Sequence, residues 1–371
     1  MRVSTLAGRL SLATILAHAC LFAALAGPAP QNTTPHVQNS RLNQQPVAGS
    51  LTTQLKDWTA QVTSPQWLGY SEPEVAGNRG ICCSGGDWNG DCGTCRLENG
   101  EHGVNVMRND ADATVMLEGS REIAVLFRAE NHHITKIRMA STECTLDAGG
   151  LPFVWLTNVK PAESVALLTT FVRGERSEYR DDDRHDHQAL FAIALHADDS
   201  AEAALESFTR QDAPEELRKQ SSFWLGEARG KSGFAALQKM AKSDPSSEVR
   251  AQVTFALSVS REPGAVDEMI RMAHDDESTH VRGQALFWLA QKAGKKEAAA
   301  ITNAIDNDPD TEVKKKAVFA LSQMPKDEGV PKLIQVAETN RNPAVRKQAM
   351  FWLGQSNDPR ALSFFEKILS Q

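Results

Sequence analysis

The side chains most able to do chemistry crowd into one stretch, Cys82-Cys83-Ser-Gly-Gly-Asp87-Trp-Asn89-Gly-Asp91-Cys92-Gly-Thr-Cys95. Four thiols and three carboxylate or amide side chains this close admit four chemistries. The first is a disulfide staple across a loop too polar to bury much surface. Its candidates are Cys82, Cys83, Cys92, Cys95 and the more distant Cys144. Five is an odd number, so one thiol is left over or pairs between chains, and the connectivity stays open. The second is zinc, because CxxC spacing lets two thiolates share a metal; an adjacent Cys-Cys pair is poor geometry for the other half. The third is a redox dithiol at Cys92-Gly-Thr-Cys95. Such a motif is activated at a helix N-terminus, and here a Gly- and Asp-rich loop precedes it. The fourth is calcium, with Asp87, Asn89, Asp91 and Glu98 at positions 1, 3, 5 and 12 of an EF-hand-type loop. Cys92 stands where that loop needs glycine. The staple is the expectation, with metal binding or redox sensing as the alternative.

The compartment decides between thiol chemistries, and the N-terminus speaks to it. Arg2 and Arg9 precede the apolar run Leu10 to Leu25, and Ala24-Leu25-Ala26 supplies small residues where a signal peptidase reads. The run is too short for a good membrane span. Residues 1–26 therefore read as a cleaved secretory signal, which places the chain in an exported, disulfide-permissive setting. Losing Arg2 and Arg9 takes the net charge from −7 to −9. That charge argues against general nucleic-acid binding, which needs a dense basic field. No later stretch reads as a membrane span.

Few other residues suggest catalysis. His185 and His187 beside Asp183 and Asp186 resemble the acidic start of a helix more than a metal cluster. His132-His133 lies at a turn or strand start. No GxSxG, Walker or HExxH pattern occurs, so neither a catalytic site nor a cofactor is expected.

The elements that position these groups are clearer. Phe191, Phe223, Phe255, Phe287, Phe319 and Phe351 fall on one 32-residue ruler. So do Leu217, Val249, Val281, Val313 and Val345, each followed by a cation: Arg218, Arg250, Arg282, Lys314 and Arg346. Five residues before each aliphatic come Asp212, Asp244, Asp276, Asp308 and Asn340. A fixed period of this length marks a tandem array. Val281, Ala285, Trp288 and Leu289 mark one apolar face of a first helix. Pairs such as Leu237/Met240, Met269/Met272, Leu333/Val336 and Phe365/Ile368 mark a second. Asp244-Pro245 and Asp308-Pro309 read as an N-cap followed by proline in the first turn. A helix pair this short has no core of its own and must bury its stripe against its neighbours. The recurring Phe is expected to be the inter-unit plug in that core. The Asp and Arg columns are expected to bond across units as a ladder.

The unit Asp-Pro-x-x-x-Val-Arg-x-x-(Ala/Val)-x-x-Ala-Leu, seen from Asp244 to Leu257, resembles the short HEAT repeats also found in phycobilin lyases. The resemblance covers about residues 183–371. It implies an α-solenoid of six helix pairs that binds other proteins, with the second-helix layer lining the concave face. The His-Glu dipeptides that hold iron in the hydroxylase branch of that family do not occur here. A phycobilin-lyase-type activity would rest on the repeat alone and sits badly with export.

Ahead of the array, residues 27–50 are polar and expected to be a disordered linker. Residues 51–180 read as a β-rich domain, from strands at 114–117, 122–127 and 133–139 joined as a meander. A helix is expected from Pro161. Such a domain would cap the first repeat. The function expected is an exported, non-enzymatic scaffold for an unidentified protein partner. Phe364, Phe365, Ile368 and Leu369 close to the last residue add possible self-association through the final unit.

Overall fold

In the computed structural model, the residues described are 33–75, 94–98, 122–173, 185–292 and 294–370. The expected strand at 114–117 and the junction at 181–184 lie outside them. None of the described helices is long and apolar enough to cross a membrane.

Residues 122–141 show how the β layer is specified. Strand β5, Glu122–Glu130, is buried on both faces, and accordingly its core is the unbroken apolar run Ile-Ala-Val-Leu-Phe. It pairs antiparallel with β6, His133–Ser141, through a two-residue turn in which Asn131 and His132 have φ of 50° and 66°. Two successive positive φ values make the primed turn that matches strand twist. The His132 backbone N–H donates to the Val62 carbonyl at 2.7 Å, tying the hairpin tip to helix α1, Leu51–Gln61.

The main sheet has five strands. It adds β2 (Leu42–Pro46), β3 (Gln66–Pro73) and β8 (Phe153–Thr157), in the order β2-β8-β3-β5-β6. β2, β8 and β3 are mutually parallel, and β3 meets β5 antiparallel. The meander expectation therefore holds only for β5 and β6. β1 (Val37–Gln38), β4 (Thr94–Arg96) and β7 (Thr145–Asp147) form a small parallel sheet on one face. There Trp67, Leu126, Phe153 and Trp155 pack with Leu97 and Leu146. The opposite face, with Leu68, Tyr70, Val125, Phe127 and Met139, joins the core of the helices.

One expectation fails here. Residues 37–38 and 42–46, in the stretch expected to be disordered, are strands. β2 is polar because it is an edge strand that buries little. Residues 51–61 form helix α1, capped by Ser50, whose hydroxyl accepts from the Thr53 N–H, with Leu51 and Leu55 buried one turn apart.

Helix α2 (Pro161–Arg173) begins where expected and packs on the first unit of the array, α3 (His185–Leu195) and α4 (Asp199–Phe208). α3 also packs on β6. Backbone bonds from Val75 N to Leu195 O (2.7 Å) and Ala197 N to Pro73 O (2.9 Å) stitch the end of β3 to the end of α3. Five further pairs follow: α5 and α6 (Glu215–Ala228, Gly230–Ser243), α7 and α8 (Ser247–Val259, Ala265–Asp275), α9 and α10 (Thr279–Lys292, Lys295–Asn307), α11 and α12 (Thr311–Gln323, Lys326–Thr339), and α13 and α14 (Pro343–Gln355, Pro359–Leu369). Successive first helices pack directly, and closely. A Cβ on Gly226 would run into the Ala256 carbonyl of the next unit.

The array's core follows the sequence stripes. Val249, Val253, Ala256 and Leu257 of α7 are fully buried, as are Leu237 of α6 and Met269 of α8. In α14 the buried pair is Ala361 and Phe364, four residues (about one turn) before the expected Phe365 and Ile368; Ile368 is 39% exposed. The proposed N-caps also shift. Asp244 and Asp308 end the preceding helices, and Ser246 and Asp310, two residues on, cap α7 and α11 with their side chains. Pro245 and Pro309 sit in the turns between.

Candidate functional site

The six periodic phenylalanines do not lie in that core. Phe191 is buried, Phe223, Phe255, Phe287 and Phe319 are half-buried, and Phe351 is 52% exposed. This corrects the expectation that they plug a dry seam. The physical reason is angular: at about 100° per residue, Phe255 points well away from the sector occupied by Val249, Val253, Ala256 and Leu257. The rings do touch between units, but on the outer surface of the first helices.

There they form one continuous ladder with the three tryptophans of the array. Phe191 stacks on Trp224 at 4.5 Å between centroids, and Trp224 meets Phe223 edge-on at 4.8 Å. Phe223 stacks on Phe255 at 5.7 Å, and Phe255 meets Trp288 at 4.7 Å. The pattern repeats through Phe287, Phe319 at 6.1 Å, and Trp352 at 5.0 Å from Phe319, to end at Phe351. Interfaces thus alternate. Phe meets Trp where a Trp-bearing unit follows, and Phe stacks on Phe where it does not. Such contacts are each worth about 0.5–1.5 kcal/mol beyond burial.

At the start of the ladder a cavity of about 370 Å³ opens between α3, α5 and α7. Its floor is aromatic, from Phe191, Phe223 and Trp224, and its rim is polar, from His187, Glu216 and Lys219 among others. Lys219 Nζ donates to Glu216 at 2.9 Å. With Gln220, that contact holds the Glu216 carboxyl below its ordinary range.

The Asp and Arg columns meet across units. Arg218 binds Asp244, Arg250 binds Asp276 and Arg282 binds Asp308, each with Nε at 2.8 Å and Nη2 at 3.1 or 3.2 Å from the two carboxylate oxygens. All three guanidinium groups are buried. The ladder stops at both ends. Asp212 is exposed and pairs only with Arg210. Lys314 donates to the Asp306 carbonyl, and Arg346 to the carbonyls of Asn340 and Arg341. Arg218, Arg250 and Arg282 are thus each neutralised by a carboxylate, whereas Lys314 and Arg346 meet only carbonyl oxygens.

One buried constellation carried no sequence signal. Tyr70 on β3, Ser164 on α2 and His196 after α3 form a chain: Tyr70 Oη to Ser164 Oγ at 2.8 Å, and Ser164 Oγ to His196 Nε2 at 2.8 Å. His196 Nδ1 lies 2.6 Å from the Ala192 carbonyl, which can only accept. Nδ1 therefore carries the proton, Nε2 accepts from Ser164, and Ser164 accepts from Tyr70. Burial pushes the His196 pKa down to about 4, so the ring is neutral. The pairing has a hydroxyl beside an imidazole, yet all three side chains are fully buried, so no substrate reaches them and the relay is structural. Beside it in β3, Glu72 is 1% exposed with neither carboxylate oxygen hydrogen-bonded. Burial, then the charges of Glu122 and Asp198, push its pKa up to about 9, so it holds its proton.

Of the cysteine cluster, Cys82, Cys83 and Cys92 lie outside the described residues, as do Asp87, Asn89 and Asp91. Cys95, buried on β4, is disulfide-bonded. Cys144, one of the five candidates of which one must be left over or pair between chains, is a free buried thiol. Its burial and the neighbouring Glu143 raise its pKa. Glu98 does not await calcium. It accepts from Trp67 Nε1 at 2.7 Å and Arg128 Nε at 3.1 Å. Among the described residues, no three His, Cys, Asp or Glu side chains gather as metal ligands, and His187 sits 3.9 Å from Asp186.

No curated protein sequence matches the chain. Solved structures similar to parts of it include the CpcE–CpcF complex of phycocyanin lyase from Nostoc sp. PCC7120, at 21% identity and a TM-score of 0.32 over 42% of this chain and 99% of that one. Human deoxyhypusine hydroxylase is similar at 18% identity and a TM-score of 0.24, over 55% of this chain and 77% of that one. The S. pombe condensin Cnd3–Cnd2 subcomplex is similar at 20% identity and a TM-score of 0.35, over 54% and 28%. The model of HEAT repeats matches residues 202–290 and 298–371. The six stacked pairs, their 32-residue period and this match agree, and the helical part of the chain is an array of HEAT repeats.

Proposed function

We propose that this chain is an exported, non-enzymatic scaffold that binds another protein through its HEAT array. The observation that carries the reading is the aromatic ladder: a continuous row of rings left partly in solvent along the first helices. Rings held at a surface at this density are a recognition feature, since aromatic side chains supply contact area at small entropic cost. That moves the docking face from the second-helix layer expected from the resemblance to the first. Export rests on the pattern of residues 1–26, and it agrees with the disulfide at Cys95.

The final unit adds a second contact. The large hydrophobics exposed among the described residues, Phe351, Leu362, Ile368 and Leu369, all belong to it, so self-association through that face is part of the reading. The test is affinity capture from the native exported fraction with the full chain, beside variants carrying Glu at pairs of ladder phenylalanines. A defined partner lost in one or more variants supports the reading. Absence of any stoichiometric partner, with a monomer in sedimentation, overturns it.

A further inference from the structure

The ladder's own chemistry narrows what it binds, and this step rests on the scaffold reading above. Three residues before each ladder phenylalanine, on the same helix face, stands a second column: Gln188, Gln220, Gln252, Gln284, Lys316 and Gln348. Among the described residues, the amides of Gln252, Gln284 and Gln348 have no partner within the chain. Beside Phe255, Phe287 and Phe351 there is thus an amide free both to donate and to accept a hydrogen bond, whereas Lys316 beside Phe319 can only donate and Gln220 beside Phe223 already donates to Glu216.

Two polymer classes present matching groups, and ring orientation separates them. Phe223 lies nearly parallel to Phe255 (13°), and Phe287 to Phe319 (8°). The stacked rings turn their faces to each other and leave edges outward. A sugar needs an open ring face, whereas a ring edge carries the positive end of the quadrupole and suits a carbonyl oxygen. The stacking steps of 5.7 and 6.1 Å are close to the rise of two residues in an extended chain, about 6.6 Å. Across each of these two stacks, side chains two residues apart in such a chain would meet successive rings.

Charge along the face fixes direction. In the first units Lys219 is held by Glu216 at 2.9 Å, and Glu248 is an acid with His280 beside it at 3.5 Å. Lys315 is likewise taken by Glu312 at 3.0 Å. The ammonium groups of Lys316 and Lys347, both exposed and one unit apart, have no carboxylate partner. The lysines of this face that lack a carboxylate therefore lie in its last two units, while the acid Glu248 lies in an earlier one.

The geometry points to an extended polypeptide segment as the ladder's ligand: apolar at alternate positions, its backbone amides on the glutamine column, its acidic end over Lys316 and Lys347. The aromatic cavity between α3, α5 and α7 takes the large side chain at its other end.

The full chain is screened against an array of N-acetylated, C-amidated dodecapeptides, with cello-, chito- and malto-oligosaccharides at the same concentration. Enriched peptides should alternate apolar residues and carry an acid near one end. Their affinity should fall at least tenfold with Gln252→Ala plus Gln284→Ala, which touch only the surface, and with Phe223→Ala plus Phe287→Ala. Lys316→Glu plus Lys347→Glu should exchange the selected acid for a base. Circular dichroism and thermal unfolding establish that each variant is folded, and the glutamine pair keeps the test open should the phenylalanine pair unfold. Peptides no better than scrambled controls, affinities within twofold of wild type in the glutamine pair, or oligosaccharide binding would each overturn the inference. A cellular partner that survives all these variants would leave the scaffold reading standing while this one fails.

Discussion

The buried Arg–Asp ladder makes a prediction with a magnitude that can be worked out. Asp308 accepts from Arg282 Nε at 2.8 Å, Arg282 Nη2 at 3.1 Å and the Asp310 N–H at 2.8 Å. Its residue is 7% exposed, as is Arg282. Asp308→Ala deletes three bonds and leaves a guanidinium buried without its counter-ion, which costs about 3–5 kcal/mol. The double variant Arg282→Met plus Asp308→Leu removes the charge together with its partner. Replacing a buried pair by packed apolar groups is often neutral, so the double variant should lie within about 1 kcal/mol of wild type. The chain carries its own precedent, since Lys314 and Asn340 stand where the next rung would be and the stacking continues. Urea unfolding, followed by far-ultraviolet circular dichroism and by tryptophan emission, reads the free energies. Because units couple only to neighbours, Asp308→Ala should also separate the transition into two steps at the junction of α9–α10 with α11–α12. High salt should change the single variant's cost little, because the pair is shielded from mobile ions. A double variant as unstable as the single one would refute the reasoning. It would show that the rung stabilises by itself rather than by sparing Arg282 an unpaired burial.

Three further outcomes follow from the fold. Glu72, with its pKa raised from 4.5 to about 9, binds a proton in the folded state that the unfolded chain has released. Stability should therefore fall by up to about 1.4 kcal/mol per pH unit as pH rises through that window, and Glu72→Gln should flatten the decline between pH 6.5 and 9 in pH-resolved urea titrations. His196, lowered from 6.5 to about 4, acts oppositely: its contribution is lost as pH falls through that range. Ser164→Ala should cost about 2–4 kcal/mol by orphaning Tyr70 Oη and His196 Nε2 together, measured by the same titration at pH 7. Of the ladder rings, Phe191→Ala should cost about 3–5 kcal/mol and Phe351→Ala under about 1, because one is buried and the other half in water; equal costs would contradict the burial described.

The array was legible because repetition multiplies a weak signal: six copies of a 32-residue pattern place helix pairs, their stripes and the Asp–Arg partners. Periodicity does not say which way a repeated residue points. Phe255 recurs as faithfully as Val249, and only the helical wheel separates them, with the valine inward and the ring outward. The β layer was half legible. β5, apolar throughout, announces itself, whereas polar β2 is a strand only because β8 offers it an edge. The Tyr70–Ser164–His196 chain joins residues 94 and 32 positions apart. No local pattern encodes such a meeting.

The alternation along the ladder sets a rule for how this protein can change length. Tryptophan occurs in every other hairpin, so the unit that tiles without a fault is 64 residues, a couplet of hairpins. Adding or deleting one hairpin inside the row would bring two tryptophans, or two alanines, to adjacent steps and break the alternation. Adding or deleting a couplet would leave it intact, so variants of the array should grow and shrink by even numbers.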